Sequence, residues 1–350
     1  MIKVLVVEDS PVVCELLTHI LNSDPDIRVI GTAENGEEAI EVAERHRPDL
    51  VTMDVHMPKM DGFKATRIIM ETNPVPIVIV TGSTSMIEME NSFRAIEAGA
   101  LTVIKKPVGV GHPDHEAHAK ELITTVKLMS EVKVVRRWRG LSRKEPGVYI
   151  EAPVEITSTD IRVVAIGAST GGPPVIQQIL SGLPKEFPAP VLIVQHMAAG
   201  FFQGFAEWLS QTSSLPVHLA IDGSRILSGN VYIAPENVQM KVGINGRLSC
   251  VDDIPENGLR PSVSCLFRSV ADVFGKNAMG ILLTGMGKDG AEQLKLMRGK
   301  GAVTIAQDEE SSVIFGMPGE AVKLDAAKYV LPPTGIIDLL GQLAKKQTGR

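Results

Sequence analysis

Blocks of apolar and polar residues alternate along the first third of the chain. Short continuous runs rich in Val and Ile recur, and each is followed by an amphipathic stretch with helical spacing. Continuous runs of this kind are typical of strands buried on both faces of a parallel sheet, and the amphipathic stretches are typical of the helices that cover it. The pattern predicts a doubly wound α/β domain with strands near 2–7, 27–32, 50–54, 76–82 and 101–107.

The same pattern starts again near Ile161 and continues towards the end of the chain. Further apolar runs with the composition of buried strands lie at 161–167, 190–196, 279–285 and 302–307. These runs predict a second doubly wound α/β domain, which agrees with the two domains expected for a chain of 350 residues.

The segment between the two patterns differs in composition from both. It mixes basic residues with Gly, Pro, Ser and Thr, which is typical of a solvated linker. We therefore place the first domain at 1–125, the linker at 126–160 and the second domain at 161–347.

Charge and aromatic content argue against nucleic acid as the partner. The net charge is −6 and aromatic residues make up 4% of the chain, whereas nucleic-acid-binding proteins usually carry a basic excess and stacking aromatics. The linker does contain a basic cluster that suits an acidic surface, but a solvated linker explains it more simply. The cluster consists of Arg136, Arg137, Arg139, Arg143 and Lys144.

Cysteine content and the apolar runs bear on the compartment. Three scattered cysteines do not form a disulfide framework, and the N-terminus lacks the apolar core of a signal peptide. No apolar run reaches the roughly 18 residues of a transmembrane helix. We therefore expect a cytoplasmic protein without membrane insertion.

Chemically suggestive side chains follow the strands of the first domain. Glu8 and Asp9 follow the first strand, Asp54 the third, Thr81 the fourth and Lys106 the fifth. Ligands of doubly wound sheets bind at the carboxyl ends of the strands. Three carboxylates brought together there require a hard cation such as Mg²⁺, and the lysine and threonine suit a phosphoryl group. Each acid alone could be a helix cap, but five such residues at matching strand ends favour a site.

The first domain resembles the receiver domain of two-component response regulators over residues 1 to about 125. The resemblance rests on the Glu8-Asp9 pair, the segment MDVHMPKMDG at 53–62, Thr81 and Lys106-Pro107. It implies a flavodoxin-like fold and a histidine kinase as phosphodonor.

The resemblance also implies a role for each site residue. Asp54 would accept the phosphoryl group, with Thr81 and Lys106 contacting its oxygens. The implied Mg²⁺ ligands are Glu8, Asp9, Asp54 and the backbone carbonyl of His56. One departure is Val103, which stands where the family often has an aromatic switch residue.

Three predicted strands of the second domain end in residues that together can cleave an ester. Ser169 lies in a G-x-S-x-G turn after the first strand, His196 follows the next, and Asp289 follows a third in a Gly-rich turn. A serine nucleophile needs a general base, and the base needs an orienting acid. The helix that follows Ser169 supplies backbone N–H groups for a developing oxyanion.

Each of these residues also has a simpler interpretation. The Gly-Ser turn is compatible with a phosphate-binding loop, His196 with a structural role and Asp289 with a helix cap. Their chain order differs from that of α/β-hydrolases, so the G-x-S-x-G match does not assign the domain to that fold. Their coincidence at three strand ends favours a catalytic triad.

This combination resembles the catalytic domain of chemotaxis protein-glutamate methylesterases, the CheB family, over about 161–347. The motifs that carry it are GASTGG (167–172), QHM (195–197), RPSV (260–263), LLTGMGKDGA (282–291) and GMP (316–318).

The resemblance assigns roles to five residues of the second domain. Ser169 is implied as nucleophile, His196 as general base and acid, and Asp289 as orienting carboxylate. The backbone N–H of Met286 is an implied oxyanion donor, and Thr170 lines the site.

The sequence departs from the family in two places. Ala198 stands where proline is frequent, and Ser264-Cys265 where an acidic residue is frequent. We expect neither departure to touch the triad.

The two resemblances together imply a phosphorylation-regulated enzyme of chemotactic adaptation. It would hydrolyse glutamate γ-methyl esters on chemoreceptors, release methanol and also deamidate receptor glutamines. The ester chemistry needs no cofactor, and nothing requires more than a monomer.

Two other functions and one metal site stay open at this stage. A DNA-binding response regulator would need a basic recognition helix, and the second half shows none. An esterase that acts on a protein outside chemotaxis would carry the same motifs. His112, His115 and His118 have a spacing that can hold a metal, although no Cys accompanies them.

Overall fold

The computed structural model describes residues 1–82, 86–132, 134 and 160–348, with the backbone alone for 86–91 and 346–348. The chain divides into two compact units, Met1–Val148 and Tyr149–Arg350. Most of the predicted linker, including its basic cluster, lies outside the described residues. The predicted domain boundaries therefore stay predictions.

The first unit has the predicted doubly wound fold. Its described strands form one parallel sheet in the order β2-β1-β3-β4-β5, which is the flavodoxin-like order. Helix α1 contacts α5, whereas α3 contacts both α2 and α4, so the helices form two groups. The elements are β1 (Ile2–Val7), α1 (Pro11–Asn22), β2 (Ile27–Ala33), α2 (Gly36–His46), β3 (Leu50–Met53), α3 (Gly62–Thr72), β4 (Ile77–Thr81), α4 (Met86–Ala98), β5 (Thr102–Lys105) and α5 (His115–Ser130).

The second unit contains a larger parallel sheet. Among its described residues, seven strands pair in the order β14-β13-β12-β6-β7-β9-β8, and β10 and β11 form a separate antiparallel pair against α8. The strands are β6 (Val163–Ala168), β7 (Val191–Gln195), β8 (Val217–Leu219), β9 (Val231–Ile233), β10 (Gln239–Val242), β11 (Leu248–Val251), β12 (Ala278–Leu282), β13 (Val303–Gln307) and β14 (Tyr329–Leu331). The helices are α6 (Gly172–Ser181), α7 (Phe202–Thr212), α8 (Val263–Phe274), α9 (Ala291–Gly299), α10 (Met317–Lys323) and α11 (Pro333–Thr348).

The predicted α/β class is confirmed for both units. The apolar pattern did not predict the short strands at the two edges of the larger sheet, β8 and β14. Each has three residues and is only partly buried, so neither produces a continuous apolar run. Helices α7, α9 and α10 were also not predicted.

Strand β6 lies at the centre of the second unit, and its position determines where the site forms. It is buried along its whole length between β12 and β7. The register aligns Gly167 with Leu282 and Ala168 with Gln195. The carboxyl ends of the three strands therefore meet at one edge of the sheet.

No helix in the described part of the chain is both long enough and apolar enough to cross a membrane.

Candidate active site

Ser169 and His196 follow two neighbouring parallel strands. Ser169 is the first residue after β6, and His196 is the first residue after β7. The backbone N–H of His196 donates to the carbonyl of Ala168 at 2.9 Å, which continues the ladder by one residue. Because paired strands lie about 5 Å apart, the ladder brings the predicted nucleophile and base side by side.

Asp289 reaches the same place from the loop after β12, on the other side of β6. It is 4% exposed and accepts hydrogen bonds on both oxygens. Oδ2 accepts from His196 Nε2 at 3.0 Å and from the Val263 N–H at 2.7 Å. Oδ1 accepts from the Ser262 hydroxyl at 2.9 Å and from the Ser264 N–H at 3.1 Å.

Three of these four donors belong to the start of helix α8. Ser262 is its N-cap, and Val263 and Ser264 begin its first turn. The first-turn N–H groups of a helix have no partner within the helix, and its dipole favours a negative charge there. The carboxylate is thus held by α8 as well as by His196.

The surroundings of Asp289 keep it ionised. Burial alone would raise its pKa, but the hydrogen bond and charge of His196, together with donors from Ser264 and Val263, hold the pKa of Asp289 below its ordinary value. An ionised carboxylate only accepts hydrogen bonds, so His196 carries its proton on Nε2. Nδ1 is then the ring nitrogen left to accept the Ser169 proton, which is the reverse of the chymotrypsin-type arrangement.

Our expectation for Ser264 was wrong. We predicted that this departure from the family would not touch the triad, yet its backbone N–H donates to Asp289. Its hydroxyl also accepts from the Gly290 N–H at 2.9 Å, which fixes the residue after Asp289. The sequence pattern could not reveal a contact that depends on where a helix begins relative to a distant loop.

The Ser169 hydroxyl makes no hydrogen bond to any residue the structure describes, the His196 ring included. The three predicted triad residues are therefore neighbours, but no hydrogen bond joins Ser169 to His196. Catalytic hydrogen bonds of this kind are often long in the absence of substrate and shorten when it binds. The predicted nucleophile and base follow neighbouring strands, and the predicted acid is hydrogen-bonded to the predicted base.

Backbone N–H groups next to Ser169 are available for an oxyanion. The N–H of Ser169 itself donates to the Thr284 carbonyl at 3.0 Å and is therefore occupied. The N–H groups of Thr170 and Met286 donate to no residue in the described ranges. Both groups are therefore available to bind a developing negative charge.

The loop after β12 passes directly against the nucleophile. A Cβ atom on Gly285 would lie 2.6 Å from the Ser169 Cβ, so only glycine permits this approach. Gly285 is in turn anchored, because its N–H donates to Ile314 and its carbonyl accepts from Met317. Met286 follows it and is 49% exposed, at the open side of the loop.

The acidic residues of the first unit also come together. The ligand oxygens of Glu8, Asp9 and Asp54 lie within 4.8 Å of one another, the only such cluster among the described residues. Lys106 Nζ lies 2.9 Å from Asp54 Oδ2 and 2.9 Å from Glu8 Oε1. Three carboxylates against one ammonium leave an excess of negative charge at this edge.

Burial and repulsion act on the Glu8 carboxyl. Burial, reinforced by the charge of Asp54, raises the pKa of Glu8, and Lys106 opposes this only in part. Burial would lower the pKa of Lys106, but its hydrogen bonds to Glu8 and Asp54 raise it overall. Both Glu8 oxygens face Lys106 Nζ, Oε2 at 2.8 Å and Oε1 at 2.9 Å. The carboxylate oxygens of Glu8, Asp9 and Asp54 that converge here are the hard ligands that a divalent cation prefers.

The remaining predicted residues of the first unit lie as follows. Thr81 ends β4, is 2% exposed, and its carbonyl accepts from the Lys106 N–H at 2.9 Å. His56 is exposed in the loop two residues after Asp54, and its carbonyl as a metal ligand stays a prediction. Val103 is half-buried and packs against the core of the unit.

The three histidines near the start of α5 do not form a cluster. His112 Nδ1 accepts from the Asp114 N–H at 3.1 Å, and His115 Nδ1 lies 2.7 Å from the Val108 carbonyl. Within the described residues they do not meet the geometry of a metal site, which Glu8, Asp9 and Asp54 do.

Comparisons with known proteins cover both units. A family model described as CheB methylesterase matches residues 164–340, and one described as response regulator receiver domain matches residues 4–113. The protein-glutamate methylesterase/protein-glutamine glutaminase of Nitrosospira multiformis is 56% identical over 348 residues, covering 99% of this chain and 98% of the relative. One from Geobacter metallireducens is 54% identical over 349 residues, covering 99% and 100%.

A solved structure matches the second unit. The crystal structure of the Thermotoga maritima CheB methylesterase catalytic domain is 36% identical, with a TM-score of 0.50. It covers 53% of this chain and 97% of that chain. The similarity therefore spans nearly all of the solved domain.

Proposed function

Because this chain belongs to the CheB methylesterase family and carries a receiver domain, we propose that it hydrolyses glutamate γ-methyl esters on chemoreceptors under the control of phosphorylation. The observation that carries the proposal is the convergence of Ser169, His196 and Asp289 at the ends of β6, β7 and the β12 loop. By the same chemistry it would deamidate receptor glutamines. This activity is one step of chemotactic adaptation.

The first step is acylation of the enzyme. Ser169 Oγ attacks the ester carbonyl carbon while His196 Nδ1 takes the hydroxyl proton. The carbonyl oxygen becomes negative and accepts hydrogen bonds from the N–H groups of Thr170 and Met286. When the C–O bond to the methoxy group breaks, His196 returns the proton to it, and methanol leaves.

The second step releases the glutamate. Water attacks the acyl carbon while His196 Nδ1 takes one of its protons, and the proton then passes to Ser169 Oγ as the acyl bond breaks. Asp289 stabilises the imidazolium that forms twice in the cycle. With a glutamine substrate, ammonia leaves in place of methanol.

The direct test uses receptor-containing membranes labelled at methyl groups from the same cell. We expect the protein to release labelled methanol and the labelled chemoreceptors to lose their label. If the label leaves another protein and stays on the chemoreceptors, the enzyme is an esterase with a different target. If no methanol is released at all, the proposed activity is wrong.

For the receiver domain, we propose that a histidine kinase phosphorylates Asp54. Asp54 is 4% exposed, its Oδ1 accepts from the Val55 N–H at 2.7 Å, and its Oδ2 faces Lys106. The Lys106 ammonium is placed to stabilise negative charge on the incoming phosphoryl group, and Thr81 is proposed to contact another phosphoryl oxygen.

We expect Asp54→Asn to abolish activation by a phosphodonor while basal ester hydrolysis continues. The amide is not a nucleophile, whereas the triad lies in the other unit. Phosphoryl incorporation and methanol release are measured with and without a small acyl phosphate. Asp26→Asn, an exposed aspartate of the same unit that pairs with Lys127, serves as control and should respond fully. A full response of Asp54→Asn would contradict this assignment.

Mg²⁺ is the proposed cofactor of phosphorylation. Glu8, Asp9, Asp54 and the His56 carbonyl would hold it, and when bound it neutralises charge during phosphoryl transfer. We expect a chelator to block phosphoryl incorporation and to leave basal methanol release unchanged, because the triad uses no metal. Added Mg²⁺ should restore incorporation, and incorporation that persists in the chelator would exclude the metal requirement.

The proposed partners place the reaction in the cytoplasm. A histidine kinase and the cytoplasmic helices of chemoreceptors would meet the enzyme there. The three cysteines, Cys14, Cys250 and Cys265, are all free thiols, which fits a reducing compartment.

A further inference from the structure

Gln195 occupies an unusual position between the proposed nucleophile and base. It ends β7, directly precedes His196 and is 2% exposed. Its Nε2 lies 2.8 Å from the Ser169 carbonyl and 2.8 Å from the His196 carbonyl. A single buried amide group thus donates to the backbone of both residues, which are 27 positions apart in the chain.

The two carbonyls differ in how much they depend on this amide. The Ser169 carbonyl also accepts from the Gly172 N–H at 2.8 Å, in the turn that leads into α6. The His196 carbonyl receives no other hydrogen bond from the described residues. Gln195 therefore contributes the contact that ties the backbone after His196 to the nucleophile turn.

The oxygen of the Gln195 amide, unlike its nitrogen, is in an unfavourable environment. Gln195 Oε1 is buried without a hydrogen-bond partner among the described residues. It lies against the start of α6, where a Cβ on Gly172 would come within 2.2 Å of it. A buried oxygen without a partner destabilises the fold, and a methionine of similar length would avoid it. The two hydrogen bonds that Gln195 Nε2 donates offset this destabilisation.

We infer that Gln195 is a positioning residue for the triad. Asp289 orients the His196 ring through Nε2, and Thr284 holds the Ser169 N–H. Neither contact joins the turn after β6 to the turn after β7. The ladder bond from the His196 N–H to the Ala168 carbonyl joins the two strand ends, and the Gln195 amide extends this link to the carbonyls of Ser169 and His196. It thereby restrains the separation between Ser169 Oγ and His196 Nδ1. This inference rests on the proposed function.

The test compares Gln195→Met with Val191→Ala. Methionine removes both donors but retains the volume, and we expect kcat to fall about 10- to 100-fold with KM within twofold, because misplacement by about 1 Å costs up to about 100-fold. Val191 is buried at the opposite end of β7, so its truncation lowers stability without reaching the triad. It should leave kcat per folded molecule unchanged.

A second measurement separates positioning from a general structural role. If Gln195 acts through the Ser169–His196 pair, Gln195→Met should have no further effect on the residual rate of a His196→Ala enzyme. If it only supports the fold, the same loss should persist in that background. Where the methionine variant does not fold, Gln195→Asn replaces it, because its shorter amide remains polar but cannot span both carbonyls.

The rate at which a fluorophosphonate labels Ser169 gives a readout that is independent of the receptor substrate. We expect the Gln195 variants to be labelled about 10- to 100-fold more slowly than the parent. Labelling of the parent without methanol release from receptors would reject the proposed function while leaving the positioning role testable. A folded Gln195 variant with kcat and labelling rate within twofold of the parent, or a loss that persists without His196, would overturn the inference.

Discussion

Ser169→Ala is expected to lower methanol release by at least about four orders of magnitude while the protein stays folded. Removing the nucleophile of a triad leaves only the residual catalysis of substrate binding and the oxyanion donors. The fold should tolerate the change, because the Ser169 hydroxyl makes no hydrogen bond to a described residue. Labelled methanol release and thermal unfolding of the same preparation measure both effects.

Ser181→Ala is the matched control for this prediction. Ser181 lies at the other end of helix α6, and its hydroxyl donates only to the Gln178 carbonyl at 3.0 Å. Its replacement should leave the rate unchanged. Ester hydrolysis by Ser169→Ala at more than a hundredth of the parent rate would show that another group is the nucleophile.

Asp289→Asn is expected to lower kcat by about 10⁴-fold, the loss that the corresponding change produces in chymotrypsin-type proteases. Four donors converge on Asp289, and an asparagine has only one oxygen to offer them. If its NH₂ faces His196, then Nε2 must accept, the ring proton moves to Nδ1, and the base towards Ser169 is lost. If its NH₂ faces α8 instead, it meets the first-turn N–H groups, and two donors cannot form a hydrogen bond with each other.

Either orientation also leaves buried donors without an acceptor, so we expect the free energy of unfolding to fall by about 1–3 kcal/mol. Methanol release and denaturant unfolding are measured together to separate the two losses. Asp272→Asn is the control, because this exposed residue of helix α8 pairs only with Lys300 at the surface. Activity of Asp289→Asn within tenfold of the parent would exclude the orienting role.

Much of the fold could be predicted from local patterns. Strands such as β6 and β7 are buried on both faces, so each appears in the sequence as a continuous apolar run. The edge strands β8 and β14 were missed because each has only three residues and is partly exposed, so neither forms a continuous apolar run. The apolar pattern therefore predicts the buried central strands but misses the short strands at the edges of the sheet.

The candidate site was predictable as a set of residues but not as an arrangement. The sequence places Ser169, His196 and Asp289 after strands, yet it does not state that β12, β6 and β7 are neighbours. That order includes the pairing of β6 with β12, which are more than 100 residues apart in the chain. The anchoring of Asp289 by the start of α8 follows from this packing, and our expectation that Ser264 would not contact the triad was therefore wrong.

The inferred role of Gln195 likewise depends on the tertiary structure. Its place in the segment QHM was visible in the sequence, but nothing local indicates that its amide reaches the Ser169 carbonyl. By itself, the sequence determined two α/β domains, the strand-end positions of the chemical groups and the family, because burial periodicity and motif spacing are local properties. Only the tertiary structure decided which groups meet, which ring nitrogen faces Asp289 and what holds the nucleophile to the base, because these depend on contacts between residues distant along the chain.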